Sequence, residues 1–388
     1  MTALRCHVLV VGAGPAGSAL AAALARAGRE VILVEARRHP RAKTCAEYAS
    51  PRIAEELTRL GVTDWAGAAV PLDAMHVVRG ATRVPVTYRD RDGRRSAWGL
   101  DRIGFDTLLA AHALASGARV LEHTRFERLA GSAARVTGAT LAGPDGALEV
   151  HADWLVGADG ARSRVARELG VERPVVAPRR LGLVARYEAS AGLGDHGEMH
   201  VGAGQYIGLA PTPGGQMNVG MALPLDGSGT AEERFSAAIE ALPAVAERLH
   251  GLRRLTGLRG AAPIGHRVTR AAGPGWLLVG DAAGFIDPFT GEGIYRALRS
   301  ARIAADALIG SADPASAYRA GRRSAFTSKN ALTWLVQGML AAPPLLGYAL
   351  RRLEARPEMA AVLGSALGDC RPASAAFSPR FLAAVLRP

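Results

Sequence analysis

The spacing Gly12-x-Gly14-x-x-Gly17 constrains this chain more than any other feature, because of what stands on either side of it. His7–Val11 is an apolar run of strand length. Ser18–Ala27 is alanine-rich and has high helix propensity. Gly28 can end that helix in a left-handed conformation. Glu30–Val34 is a second aliphatic strand, ending at Glu35. Strand, glycine loop, helix and strand in this order form one βαβ unit of a parallel sheet. In such a unit Gly12 permits the tight turn, Gly14 lets the backbone approach a pyrophosphate, and Gly17 lets the helix pack closely on the strand. Ala13, Pro15 and Ala16 complete the loop. The helix start presents free N–H groups and a positive dipole end to phosphates. Glu35, followed by Ala36, is placed to accept hydrogen bonds from a ribose. A plain turn in an α/β sheet would not call for a carboxylate there, so the unit reads as a dinucleotide-binding site.

Composition narrows the alternatives. The chain has 388 residues, enough for two or three domains. With 49% hydrophobic and 21% charged residues it is neither disordered nor fibrous. Three cysteines without CxxC spacing argue against a disulfide scaffold or a zinc ribbon and fit a reducing, cytoplasmic setting. The net charge is +12, and apart from Lys43 and Lys329 every basic residue is arginine. That charge favours acidic or phosphorylated partners. No basic run interleaved with aromatics supports nucleic-acid binding. None of the histidines has metal-ligand spacing or a triad partner, so no metal is expected. The segment 331–350 is uncharged and long enough to span a bilayer, but Pro343-Pro344 interrupts it. It reads as two shorter buried or interfacial helices, which leaves a peripheral membrane contact open.

Further along, residues 73–99 read as short strands with Asp92-Gly93 as a hairpin turn. Arg102–Ala115 reads as a helix, Arg119–Glu122 as a strand, and the surroundings of Pro144-Asp145-Gly146 as a hairpin. Asp153–Ala158 is a strand leading into a helix at 161–169. The stretch 175–263 is β-rich, Trp276–Val279 is a buried strand running into Gly280-Asp281, and Gly291–Ile309 is a helix.

Four ordered motifs then carry a resemblance: GAGPAG at 12–17, RxxFD at Arg102–Asp106, GADGARSRVAREL at 157–169 and GDAAGFIDPFTGEGI at 280–294. Together they resemble the FAD-dependent oxidoreductases of the aromatic-hydroxylase fold (the group A flavin monooxygenases and their relatives). The resemblance implies that Asp281 holds the ribityl chain of FAD, that Gly280 shapes its turn, and that Gly291, Gly293 and Ile294 lie beside the flavin ring. It also implies that Asp159 supports the pyrophosphate region and that Arg102 reaches the phosphates. On the residues alone, Asp281 and Asp159 could instead cap helices, and Arg102 could be an ion pair.

The loop 41–51, with Lys43, Cys45, Ala46, Ser50 and Pro51, is similar to the KxCGxxLSP region of geranylgeranyl reductases, with Ala46 where glycine is usual. This implies that Cys45 and Ala46 lie near the flavin. Tyr206-x-Gly208-x-Ala210-Pro211 is similar to the YxWxFP motif of the same enzymes, with Gly208 in place of tryptophan. Cys45 and Tyr206 are therefore the candidate catalytic side chains; for Cys45 a small buried hydrophobe is the competing reading. No Trp-x-Trp is present, which argues against halogenation.

The expected fold class is α/β in a two-domain α+β arrangement. A Rossmann-type FAD-binding domain would comprise 1–72, 100–174 and 264–312, an inserted β-sheet substrate domain 73–99 and 175–263, and a C-terminal helical segment 313–388. The expected cofactor is FAD, with NAD(P)H as a transient reductant, and the expected partner is a hydrophobic small molecule: prenyl, lipid or polyketide-like. Reduction of a carbon–carbon double bond is favoured; hydroxylation or epoxidation by a flavin monooxygenase, or a flavin-binding protein without turnover, stay open. The sequence leaves the oligomeric state open.

Overall fold

A computed structural model describes residues 3–132, 135–189 and 192–386; the outermost ends of the expected first and last units lie outside it. The strand Ala3–Val11 lies at the centre of the first sheet. It pairs in parallel with Gly146–Gly157 on one side and Val31–Val34 on the other, and Arg119–Leu121 follows beyond Val31–Val34. All four residues of Val31–Val34 are buried, as expected of a parallel strand covered on both faces. Helices Pro15–Arg26, Arg102–Ala115 and Gly293–Gly310 cover one face through Leu20, Leu24, Phe105, Leu109 and Leu298. Phe126, Leu141, Val165 and Trp276 fill the other. Trp276–Leu278 pairs with the end of Gly146–Gly157, which puts the Gly280 turn next to the glycine loop.

The second sheet is assembled from two distant parts of the chain. Its strand order is Arg259–Ala261, Arg180–Glu188, Gln216–Pro224, Tyr206–Thr212, His196–Val201, Ala74–Arg79, Thr82–Asp90 and Gly93–Arg95. The join between the parts is the parallel pairing of His196–Val201 with Ala74–Arg79, the other pairings of this sheet being antiparallel. One face packs on Phe235, Val245 and Leu249. The other presents Met75, Val84, Val86 and Tyr88 to the C-terminal helices through Leu340, Leu346, Leu350 and Leu353. Those helices, Pro314–Ala341, Pro343–Glu354, Pro357–Leu367 and Pro379–Leu386, each begin with proline. Its fixed φ suits the first helical position, where an N–H would go unused.

Several expectations need correction. The β-rich stretch 175–263 also holds two helices, Ala231–Glu240 and Pro243–Leu249. The first is nucleated by a reciprocal cap: Thr230 N–H donates to Glu233 (2.7 Å), and Glu233 N–H donates to the Thr230 hydroxyl (3.2 Å). The hairpin turn is Arg91-Asp92, since Asp90 pairs with Gly93. Gly93 opens the return strand at φ 128°, a value that needs glycine. The helix expected at 161–169 shortens to Arg164–Glu168, capped by Ser163. The uncharged segment does break at Pro343, but its first half ends a helix of 28 residues rather than forming a short one. Among the described residues no helix is long and apolar enough to cross a membrane.

Candidate functional site

The glycine loop leaves the central strand at Val11. Gly12 has φ 106°, and a Cβ there would fall 2.6 Å from the Ala158 carbonyl oxygen. A Cβ on Gly17 would lie 1.8 Å from the Gly12 oxygen, so this glycine sets how closely helix and strand approach. Gly14 differs: the nearest atom to its Cβ position is Arg41 Nη2 at 3.8 Å. No packing within the protein requires glycine there; the open side faces the cavity. The first intrahelical bond runs from Ser18 N–H to Gly14 O, which leaves the N–H groups of Ala16 and Gly17 at the helix start unused within it.

Glu35 ends the second strand and is buried. Its carboxylate accepts from Ala13 N–H and Arg37 N–H, both at 3.1 Å, and pairs with Arg41 Nη2 at 3.0 Å. Gly280, at φ 58°, brings its turn against Ala16, and Asp281 follows it. Asp281 faces the same cavity as Gly14 and Glu35, and its carboxylate takes no hydrogen bond from a described residue, so the side chain is not a helix cap. Asp159 does cap: its Oδ2 accepts from Arg164 N–H (2.7 Å) and Val165 N–H (3.2 Å). Its Oδ1 is buried without a partner, and burial raises its carboxyl above the ordinary value. Arg102 lines the cavity, but its guanidinium is bidentate to Asp106 at 2.9 and 3.0 Å and lies against the Cys45 thiol. It braces the 41–51 loop here.

That loop is pinned at its middle. Cys45 O accepts from Asn218 Nδ2 at 3.1 Å, and Cys45 Sγ accepts from Glu47 N–H at 3.3 Å. Ala46 packs on Gly220, where a Cβ would come within 2.9 Å of the alanine methyl; the missing side chain at 220 makes room for the extra one at 46. Glu47 adopts φ 56°, unusual for a residue with a Cβ. Arg186 holds it through two hydrogen bonds of 2.8 and 2.6 Å and also reaches Asp101. Sequence reasoning missed Glu47, because its partner lies far along the chain and no local pattern joins them.

Gly291, at φ 68°, precedes Gly293 and Ile294 at the start of the helix Gly293–Gly310. A Cβ on Gly291 would collide with the Tyr48 ring at 2.3 Å, so Tyr48 lies directly on this backbone. The Tyr48 hydroxyl is hydrogen-bonded to that of Tyr88. Burial raises both phenols well above their ordinary value. Tyr206 is buried with its O–H donating to Asp287 (2.6 Å), while Arg180 Nε lies 3.3 Å from the same carboxylate. Burial, with Asp287 beside it, raises this phenol too. Its proton is therefore directed at Asp287. Behind the Gly291 turn, Lys329 Nζ sits between Glu292 (3.2 Å) and Asp369 (3.0 Å), all three inaccessible to solvent or nearly so.

Gly14, Glu35, Cys45, Tyr48, Asp281 and Gly291 border one cavity of about 1060 Å³. That exceeds the usual ~300–1,000 Å³ of a single small-molecule pocket. One end is polar and glycine-rich. The other is walled by Met75, Val77, Val84, Val86, Leu346 and Leu350. The first end fits a long nucleotide: an amide-lined phosphate cradle, a ribose carboxylate at Glu35, and free carboxylate oxygens on Asp159 and Asp281. Away from it, His76, His196 and Glu198 are close enough together to suggest a cation site. However, Glu198 is already engaged by Arg83, Arg248 and His200, so two guanidinium groups stand where a cation would have to go.

Comparisons with known proteins agree with this geometry. The FAD binding domain family matches residues 5–315. A menaquinone reductase of Mycolicibacterium smegmatis is 32% identical over 331 residues, covering 81% of this chain and 79% of that protein. Digeranylgeranylglycerophospholipid reductase 1 of Methanopyrus kandleri is 32% identical over 318 residues, covering 79% and 81%. The crystal structure of a geranylgeranyl bacteriochlorophyll reductase-like protein from Thermoplasma acidophilum superimposes with a TM-score of 0.80 at 22% identity, covering 98% of each chain. The motifs at 12–17 and 280–294 and the Rossmann-type sheet between them have the same explanation: the chain belongs to the FAD binding domain family and is an FAD-dependent oxidoreductase.

Proposed function

We propose that the protein reduces a carbon–carbon double bond in a prenyl- or other lipid-like substrate, drawing its electrons from NAD(P)H. The observation that carries this reading is the cavity itself, whose nucleotide end is continuous with a chamber walled by the apolar side chains of Met75, Val84, Val86, Leu346 and Leu350. The names of the relatives at 32% identity, a quinone reductase and a prenyl-lipid reductase, support the same class. Gly208 stands where a related motif carries an indole and widens the chamber.

When bound, FAD supplies hydride transfer between the nicotinamide and the substrate. The chain's own residues bind and orient. The Ala16 and Gly17 amides and the Gly14 backbone would hold the pyrophosphate. Glu35 would accept from ribose hydroxyls and Asp281 from the ribityl chain. Gly291 and Gly293 would face the ring, with Tyr48 closing that side. Net addition is one hydride to one alkene carbon and one proton to the other. Cys45, Tyr48, Tyr88 and Tyr206 are the thiol- and phenol-bearing residues that line the cavity among the described residues.

Two measurements test this. Anaerobic incubation with NAD(P)H and a prenylated quinone or lipid is expected to give a product heavier by two hydrogens. An aerobic product heavier by one oxygen would instead make the enzyme a monooxygenase. Asp281→Ala is expected to lose most of its flavin at unchanged apoprotein stability, because the carboxylate makes no contact that folding needs. Full flavin occupancy in this variant would remove Asp281 from the site.

A further inference from the structure

From Pro314 to Leu353 the chain contains no aspartate or glutamate, yet it carries Arg319, Arg322, Arg323, Lys329, Arg351 and Arg352. The middle of this stretch is uncharged and forms the end of the helix Pro314–Ala341 and the start of Pro343–Glu354. Both helices are apolar on two opposite faces. Inward, Val336, Met339, Leu340, Leu346 and Leu350 line the cavity. Outward, Trp334, Leu335 and Leu345 are 50%, 41% and 46% exposed, flanked by exposed Ala331, Gly338 and Ala341. These three belong to only seven large apolar side chains so exposed among the described residues, and all three flank one joint. A helix apolar only on its core side would place polar residues there. The exposed corner and the apolar chamber are thus two sides of the same helix pair, about one helix diameter (~10 Å) apart.

We propose that this corner seats in the surface of an anionic phospholipid bilayer, and that an apolar substrate passes from the bilayer into the cavity between the two helices. Trp334 suits the interface, where an indole keeps its ring in hydrocarbon and its N–H in the headgroups. Exposed Arg351 follows Leu345 within two helical turns, and exposed Arg319 and Arg323 lie further back along the first helix; all three would meet lipid phosphates if the helix pair lies along the surface, with no acidic residue on either helix before Glu354 to repel them. A second copy of the chain fits less well. Three half-exposed side chains fall far short of the roughly 800 Å² per partner of a stable interface, whereas shallow insertion of an apolar helix face needs little more than this. The entry route rests on the lipid-like substrate proposed above; the docking does not.

The test uses the full-length, FAD-loaded protein and vesicles of phosphatidylcholine with and without phosphatidylglycerol. The wild type is expected to co-sediment with the anionic vesicles, less so at high salt. The variant Trp334→Ser/Leu335→Ser/Leu345→Ser is expected to bind at least about tenfold more weakly. Its flavin content and thermal midpoint should stay unchanged, since none of the three side chains lines the cavity or is buried. Turnover of a prenyl substrate in detergent micelles should also persist. Three results would overturn the docking: equal binding by variant and wild type, no binding by the wild type, or lipid-free self-association of the wild type that the variant abolishes. If the wild type binds vesicles but reduces no prenyl substrate in micelles, the substrate reading and the entry route fall while the docking stands.

Discussion

Gly14→Ala is expected to fold normally and to lose FAD. The methyl group has space in the protein alone, with its nearest neighbour, Arg41 Nη2, at 3.8 Å. It would project into the cradle where the pyrophosphate must come close to the backbone. Forcing one extra carbon into a tight contact costs ~1–3 kcal/mol, which is about a ten- to hundredfold loss of affinity. Gly17→Ala is the contrasting control. Its methyl would lie 1.8 Å from the Gly12 oxygen, so it should lower stability before any ligand is added. Flavin absorbance per protein and the thermal midpoint of the apoprotein separate the two. A Gly14→Ala protein that purifies fully yellow would mean that the phosphates do not lie on this loop.

The second large effect is expected at Lys329. Its ammonium lies between Glu292 and Asp369 and also donates to the Ala366 and Leu367 carbonyls. Burial works against the charge on Glu292, but Lys329 and Arg296 hold its carboxyl below the ordinary value. Burial pushes Asp369 up to about 6. Lys329→Met leaves Asp369 without its cation and Glu292 with Arg296 alone, which costs ~3–5 kcal/mol. The cost depends on pH with a definite sign. Asp369 already has a higher value folded than unfolded, so its contribution is fully present below the unfolded value and is lost as pH rises through about 6. Removing the ammonium raises both carboxyls further. The difference from wild type should therefore be largest at alkaline pH and should shrink as pH falls and the carboxyls protonate. Urea midpoints across a pH series check this; a midpoint difference independent of pH would mean that the three groups do not titrate together. Glu292 stands between Gly291 and Gly293, so this charge cluster also anchors the cavity-lining turn at Gly291 to the C-terminal helices.

What the sequence revealed depended on how local each signal was. The helix Arg102–Ala115 has the bounds expected from its periodicity. The glycine loop was legible because each glycine has its own steric reason within a few residues. The helix Ala231–Glu240 was missed although Thr230-x-x-Glu233 announces it; alternating apolar residues on both sides of that stretch suggested strands throughout. The Glu47–Arg186 pair had no such signal, since only the folded chain brings the two together. Tyr48 could be placed in the loop but not on Gly291, and its hydroxyl partner Tyr88 comes from the second sheet. Lys329 did leave a trace. In a chain that otherwise uses arginine, lysine appears only twice: Lys43 lines the cavity and Lys329 is buried behind the Gly291 turn. A compact ammonium fits between two carboxylates where a planar guanidinium would need more room.

The parallel pairing of Ala74–Arg79 with His196–Val201 also sets an order of events during synthesis. The early hairpin, Ala74–Asp90, emerges from the ribosome more than a hundred residues before the strand that covers its free edge. At the usual pace of translation that interval is roughly 5–25 s. Throughout it the edge of Ala74–Arg79 lacks its partner strand, and Met75 and Val77 on that strand are among the side chains that later line the cavity. A strand that later helps to line the cavity is thus, for those seconds, open to pairing with a foreign chain.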